Sequence, residues 1–365
     1  MTGTGASRAL GPGDRVVVTG AGGFIGSAVV RALVARRAHV VAALEPTGDD
    51  TNLRDLPVEK AAVDVRDRDA VFALVRGARV VFHLAAVYRF WAPNPAVFYE
   101  VNVGGTRNVI DGAVAGGCEG VVYTSTVGTV GLHGPGSGRP ADEGDHAEIR
   151  HLFGPYKQSK YVAEHEVLRA AAEGAPVTLV LPTFPLGPGD RRPTPTGKLV
   201  LDFLNGRMPA FVDTAMNVAH VDDLATAHLL AFEQGRVGRS YIAGGENLSM
   251  RRLLELLSAC TGLPPVGRRI PGALGLGAAW ASHLVQGRAL GREPAVPLEA
   301  ARMSATHMIF DDARARAELG YRSRPAVEAV ESSARWYVDH GYVRPARSAR
   351  VTWPSAACDL VERAP

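Results

Sequence analysis

The first half of the chain alternates short apolar runs with amphipathic stretches. Arg15–Thr19 is a β-branched run that ends in glycines, and residues 24–34 then place apolar side chains at helical spacing. Further apolar runs follow at 40–44, 61–63, 80–84, 120–123 and 177–181. Between them, a polar-start segment from Asp67, residues 102–114 and residues 156–172 read as helices. Continuous apolar strands separated by helices predict a parallel sheet covered on both faces. With one helix per crossover, the expected class is α/β, doubly wound.

Beyond Pro182 the texture changes. Pro182, Pro185, Gly187, Pro188, Gly189, Pro193, Pro195 and Gly197 predict a loop leaving the sheet. Helical pieces are expected at 224–232, 250–260 and 325–339. The predicted organisation is a flexible N-terminus at 1–13, a doubly wound domain at 14–185 with return segments near 213–245, a smaller, mostly helical and interleaved lobe at 186–343, and a poorly ordered tail at 344–365. Residues 270–285 are the most apolar stretch away from the sheet, yet shorter than the roughly 20 apolar residues of a bilayer span. They predict a buried helix of the second lobe; a surface for greasy substrates or a membrane face is the alternative.

Composition narrows the classes. The 365 residues carry 40 Lys+Arg against 37 Asp+Glu, a net charge of +3, with no dense basic run, which argues against a nucleic-acid partner. The 46% hydrophobic and 21% charged fractions are ordinary for a globular protein. Cys118, Cys260 and Cys358 are widely spaced and form no metal-ligand pattern, so no metal is expected, and reduced thiols fit a cytoplasmic protein. There is no signal-type apolar core near the N-terminus and no stable membrane insertion is expected. No Gly-x-Ser-x-Gly elbow, His-Glu-x-x-His or Walker sequence appears.

Two motifs carry the chemistry. Residues 18–26 read Val-Thr-Gly-Ala-Gly-Gly-Phe-Ile-Gly and join the first strand to the first helix. Gly20 permits the tight turn, Gly23 the approach of a pyrophosphate, and Gly26 close helix–strand packing, while the helix N-terminus offers free N–H donors. Tyr156 and Lys160 form a Tyr-x-x-x-Lys pair, which shares one face if helical. A nearby ammonium lowers a phenol's pKa from about 10, so Tyr156 could exchange a proton with a substrate oxygen while a nicotinamide transfers hydride.

The Gly-x-x-Gly-x-x-Gly spacing resembles the extended short-chain dehydrogenase/reductase family, whose fold is the Rossmann type, and motifs in the family's order extend the likeness over roughly residues 14–343. The resemblance implies an NAD(P) site formed by Gly20, Gly22, Gly23, Phe24, Ile25 and Gly26, with Asp64 and Val65 at the adenine. Leu84, Ala85 and Ala86, in Phe-His-Leu-Ala-Ala, would flank the cofactor, as would Asn102 and Thr124. Pro182 and Thr183 would lie beside the nicotinamide and Lys160 on its ribose. His220-Val221-Asp222-Asp223 matches the motif where the second lobe returns. The catalytic hydroxyl falls at Thr126, with its neighbour Ser125 as the alternative or as a substrate contact. Relatives commonly pair two long helices, here 102–114 and 156–172, which implies a homodimer.

Glu45 follows the second strand. A carboxylate there bonds ribose hydroxyls and repels a 2′-phosphate, so NAD(H) is expected over NADP(H); Asp49 and Asp50 add to this, with no cation close before Arg54. Residues 88–93, 193–197, 203–209 and 244–247 resemble the dihydroflavonol-4-reductase-like branch labelled hopanoid-associated sugar epimerases. Two reactions remain open: a carbonyl reductase or secondary-alcohol dehydrogenase on a fairly apolar or cyclic metabolite, and a nucleotide-sugar epimerase or dehydratase with tightly held NAD. Met216 stands where sugar-nucleotide enzymes commonly carry a diphosphate-clamping Arg, although Arg191, Arg192 or Lys198 could compensate. Apolar candidates for the substrate wall are Tyr88, Phe90, Trp91, Phe184, Leu186 and Met216, with Thr126 at the reacting oxygen; this favours the reductase. A non-catalytic NAD(H)-sensing protein is the remote third reading.

Overall fold

The computed structural model describes residues 8–354, apart from 90, 134–136, 285, 287–291, 293, 295–297 and 304–305. Phe90, Val285, Cys358 and the extreme termini therefore lie outside the described residues. The first lobe runs β1 (Arg15–Thr19), α1 (Phe24–Ala35), β2 (His39–Leu44), β3 (Glu59–Ala62), α2 (Arg68–Val75), β4 (Val80–His83), α3 (Ala96–Tyr99), α4 (Thr106–Ala115), β5 (Gly120–Thr124), α5 (Pro155–Ala172) and β6 (Val177–Pro182). The chain continues through β7 (Phe184–Leu186), α6 (Pro195–Leu204), β8 (Phe211–Val212), β9 (Ala215–His220), α7 (Val221–Glu233), β10 (Ser240–Ala243), β11 (Glu246–Ser249), α8 (Met250–Thr261) and β12 (Arg269–Ile270). It closes with α9 (Gly272–Ser282), α10 (Leu298–Met303), α11 (Ala313–Leu319), α12 (Ala326–Asp339) and α13 (Pro345–Ser348).

Seven parallel strands form the main sheet in the order β10-β6-β5-β4-β1-β2-β3. This is the doubly wound order, and it reverses between β1 and β4, where the crevice for a dinucleotide opens at the strands' carboxyl ends. Val16, Val17 and Val18 are wholly buried, with Val16 and Val18 in one core cluster and Val17 in the other. That two-sided burial is why the strand is apolar throughout rather than alternating.

The second lobe is mostly helical, as expected, but it is not helical throughout. It contains a three-stranded sheet, β11-β9-β7, and a two-stranded sheet, β12-β8. The Pro/Gly-rich segment expected as loop includes β7 and the start of α6, where Thr194 caps the helix by accepting from the Gly197 N–H and Pro195 fills the first turn. β10 returns to the main sheet and pairs with β6. Neither end is wholly loose. Leu10 is buried and its N–H bonds Glu233, while Arg347 donates to the carbonyls of Leu204 and Phe203 and the Thr352 N–H to that of Thr261. The predicted buried helix at 270–285 is instead half outside: in α9 and just after it, Leu274, Trp280 and Leu284 are 65%, 44% and 49% exposed. Among the described residues no helix is long and apolar enough to cross a membrane.

Candidate active site

The glycine turn stands at the carboxyl end of β1. Gly20 has φ +67°, and a Cβ there would meet the Ala85 and Leu84 backbone at 2.7–2.9 Å. A Cβ on Gly26 would sit 2.1 Å from the Gly20 carbonyl, and one on Gly22 2.4 Å from that of Asp49. Gly23 is exposed and caps α1 with extended backbone. Phe24 is buried beneath it, and the first-turn N–H groups, Ile25 and Gly26 among them, lack intrahelical acceptors. A bare backbone surface at a helix N-terminus suits a diphosphate. Asn52, absent from the sequence-based set, donates to the carbonyls of Gly22 (3.3 Å) and Gly189 (2.9 Å) and ties this turn to the segment after β7.

The remaining cofactor candidates divide. Glu45 is exposed just beyond β2. The expected cation-free surroundings of Asp49 and Asp50 are corrected: Lys60 reaches Asp50 at 3.0 Å and Arg191 reaches Asp49 at 3.7 Å, because strand pairing and the second lobe bring distant residues here. Asp64 is occupied by Arg66, whose Nε donates to both oxygens at 3.0 Å, and this holds the carboxyl below its ordinary range. Val65 is core, packed against Gly105. Leu84 and Ala85 are half-buried beside Gly20, and Ala86 is exposed. Asn102 does not face the crevice. A π-helical turn at Glu100–Gly105 turns it inward, where it accepts from the Val87 N–H at 2.8 Å and donates to Ser159 at 2.9 Å. It thereby ties the segment after β4 to α5. The Thr183 hydroxyl donates to the Ala243 carbonyl at 3.3 Å, and Pro182 ends β6 beside Ala243.

Helix α5 buries Tyr156, Ser159, Lys160, Ala163 and Val167, one face at helical spacing. Burial, with the nearby Tyr88 phenol, holds the Tyr156 hydroxyl well above its usual pKa, and hydrogen bonding from Thr126 opposes the rise. Thr126 is the hydroxyl that meets Tyr156. Ser125, the alternative, is turned away: with Thr129 it donates to Glu164 beneath the site. Lys160 shares that face with Tyr156, as expected, and bonds elsewhere. One turn farther along, its Nζ donates to the Tyr123 hydroxyl at 2.8 Å and the Thr124 carbonyl at 2.7 Å. Burial pushes the ammonium down to about 7, partly offset by Glu164. His83 is neutral, its pKa pushed down to about 3 by burial, and bridges Thr19 and Thr106.

On the substrate side, Tyr156 clusters with Ala92 and Phe98, flanked by Val87 and Val97. The Tyr88 ring lies 5.1 Å from that of Tyr156; 39% of the residue is exposed, and its hydroxyl is held above its ordinary pKa by burial and by the charges of Asp190 and Glu299. Trp91 and Phe184 are half-buried. Met216 is corrected: only 5% exposed, it packs in the second lobe's core with Leu186 and Leu248. Among the described residues no metal-binding cluster of His, Cys, Asp or Glu is present.

His228 supports this geometry and gives it a pH signature. Its Nδ1–H donates to the Leu224 carbonyl at 2.7 Å, leaving Nε2 to accept from Thr124, whose carbonyl holds Lys160. Burial pushes His228 down to about 4. Its unfolded value is about 6.5, so between the two the unfolded chain binds the extra proton and stability rises with pH. Acidification from about pH 6.5 to 4 should lower Tm, with this group contributing up to about 1.4 kcal/mol per pH unit. Tm measured across that window should fall less steeply in His228→Gln; equal slopes would refute the assignment.

A doubly wound sheet, a glycine cradle at its switch point and a Tyr-x-x-x-Lys helix beside it define a dinucleotide-dependent oxidoreductase of the extended short-chain type. The sequence model described as the NAD dependent epimerase/dehydratase family matches residues 16–244, more than half of the chain. A Synechocystis protein named as a dihydroflavonol 4-reductase is 39% identical over 335 residues, 91% of this chain and 96% of its own. Sterol demethylase protein B of Methylococcus capsulatus is 32% identical over 331 residues, 90% and 99% of the two chains. The crystal structure of gox2253 has a TM-score of 0.80 at 40% identity and covers 91% of this chain and 100% of its own. The chain belongs to the NAD-dependent epimerase/dehydratase family.

Proposed function

We propose that the protein is an NADH-preferring reductase or dehydrogenase of an apolar, often cyclic, ketone/alcohol pair. The observation that carries this reading is the setting of Tyr156: its ring lies in an apolar wall of Ala92, Phe98, Val87 and Val97, beside Tyr88, with the Thr126 hydroxyl at its own. When bound, the dinucleotide supplies or accepts the hydride. Gly20 to Gly26 would hold its diphosphate, Glu45 the adenosine ribose, and Lys160 the nicotinamide ribose. Tyr156 passes the proton to or from the substrate oxygen, and Thr126 holds that oxygen in place. The apolar wall excludes water. Lys160, anchored on Tyr123 and Thr124, is held one helical turn from the phenol.

The nucleotide-sugar reading has less support. Met216 is core, Lys198 is paired with Asp202, and Arg191 lies against Asp49, so of the three cations that could grip a diphosphate two are engaged locally and Arg192 is left exposed. The names of the two curated relatives, a dihydroflavonol reductase and a sterol demethylase component, also favour cyclic apolar substrates. A homodimer through α4 and α5 is part of the proposal. NADH oxidation over a panel of cyclic ketones, beside conversion of UDP-sugars without net NADH, separates the readings. Sugar conversion alone would overturn the reductase, and NADH binding with neither reaction would favour a sensor.

Cofactor choice rests on Glu45, since Asp49 and Asp50 are neutralised by Arg191 and Lys60. Glu45→Arg should raise the NADPH-to-NADH ratio of kcat/KM by about tenfold or more, a change of at least about 1.4 kcal/mol. An unchanged ratio would remove the basis for NADH preference.

A further inference from the structure

Glu299, on α10 of the second lobe, is 6% exposed, and neither of its carboxyl oxygens has a hydrogen-bond partner among the described residues. A buried carboxyl is expensive to leave unpaired, so such a group in a cleft is a candidate for a ligand's partner. Its position is specific. It packs on Gly154, which caps α5 with φ +85°; a Cβ there would lie 1.8 Å from Oε2. The next residue, Pro155, has no N–H to offer. The charge of Glu299 is felt by Tyr156 and by Tyr88, whose rings lie side by side. Tyr156 follows Gly154 by two residues, so the carboxyl lies near the reacting phenol.

Resting on the reductase reading above, we propose that Glu299 is a specificity-determining residue that hydrogen-bonds a second oxygen function, a hydroxyl group, on an otherwise apolar substrate. A metal ion is a poor occupant, because no cluster of three ligating side chains exists among the described residues. A cationic group is disfavoured by Lys157, whose ammonium already attracts the carboxyl without a hydrogen bond to it among the described residues. Burial pushes Glu299 up to about 8 against that attraction. The protonated acid is then available at neutral pH, and it both donates and accepts, as a hydroxyl does. A neutral Glu299 also avoids raising the Tyr156 phenol further, since its charge acts against phenolate. Tyr156 and Glu299 would thus give two polar points beside the apolar cluster of Ala92, Phe98, Val87 and Val97, enough to fix both position and face of a ring-shaped substrate.

The test uses cyclododecanone and 2-hydroxycyclododecanone as a matched pair, with Kd read from the fluorescence of enzyme-bound NADH. The wild-type NADH complex should bind the hydroxyketone about tenfold more tightly than the plain ketone. In Glu299→Leu the ratio should fall to about one, while Glu299→Gln, which keeps a donor and an acceptor, should restore part of it. NADH affinity and Tm report whether each variant is folded. In Tyr156→Phe the binding ratio should persist although turnover is lost. NADH oxidation is followed in parallel: its absence with both ketones would sink the reductase reading, whereas the Kd ratio tests Glu299 alone. A wild-type ratio near one, no measurable binding of the hydroxyketone to the wild type, or a preference that survives in Glu299→Leu overturns the proposal.

Discussion

Tyr156→Phe should lower turnover by about 10²–10⁴-fold, the usual contribution of a positioned acid or base, while NADH still binds. The substitution removes one oxygen and leaves the ring in its cluster with Ala92 and Phe98. The deleted hydroxyl is buried, with Thr126 as its hydrogen-bonding neighbour, so the fold should lose little stability or gain some. Stopped-flow NADH oxidation and a fluorescence titration of NADH separate the two effects. Full activity in this variant would overturn the mechanism. Thr126→Val offers a graded companion, because it removes the hydroxyl that meets Tyr156 without altering the proton donor.

The second large effect should come from the glycine turn, and here two glycines are expected to behave differently. In Gly26→Val the new Cβ would stand 2.1 Å from the Gly20 carbonyl oxygen and 3.2 Å from the Ala21 Cα, both backbone atoms that cannot swing aside. Helix α1 would have to lift from β1, at a cost of about 3 kcal/mol or more. Tm and NADH binding should fall together. Gly23 differs: its φ of −69° is open to any residue, it is exposed, and a Cβ meets only the Gly20 carbonyl at 3.1 Å. Gly23→Ala should therefore fold with nearly wild-type Tm but bind NADH at least about tenfold more weakly, as the methyl occupies the space of the diphosphate. Equal NADH affinity in Gly23→Ala and the wild type would show that this turn does not hold the cofactor.

Much of the first lobe was legible because its signals are local. Burial on both faces made β1, β2 and β4 to β6 continuous apolar runs, and five-, six- and four-residue strands stand within a residue or so of those runs. Tyr156 and Lys160 share a face because residues four apart on a helix must. The second lobe was harder. β7 and β11 are short, all of β7, β9 and β11 are broken by proline or polar residues, and each is a strand only because its partners are present. Two polar side chains expected at the cofactor or substrate, Asn102 and Ser125, bond other parts of the fold. Ser125 and Thr126 are adjacent hydroxyls on opposite sides of an extended backbone, so one meets the phenol and the other Glu164. Asn102 is buried by a π-helical turn that no periodicity announces.

The sequence by itself determined the sheet, the glycine turn and the placing of Tyr156 and Lys160 on one helix face, because each depends on residues a few positions apart whose geometry the backbone imposes. Only the tertiary structure decided what those groups touch: Lys160 on Tyr123 rather than Tyr156, Asp49 and Asp50 beside Arg191 and Lys60, and Glu299 over Gly154. These contacts join residues 10 to 145 positions apart, and side-chain hydrogen bonds and charges act over a few ångströms of space with no trace of how much chain lies between them.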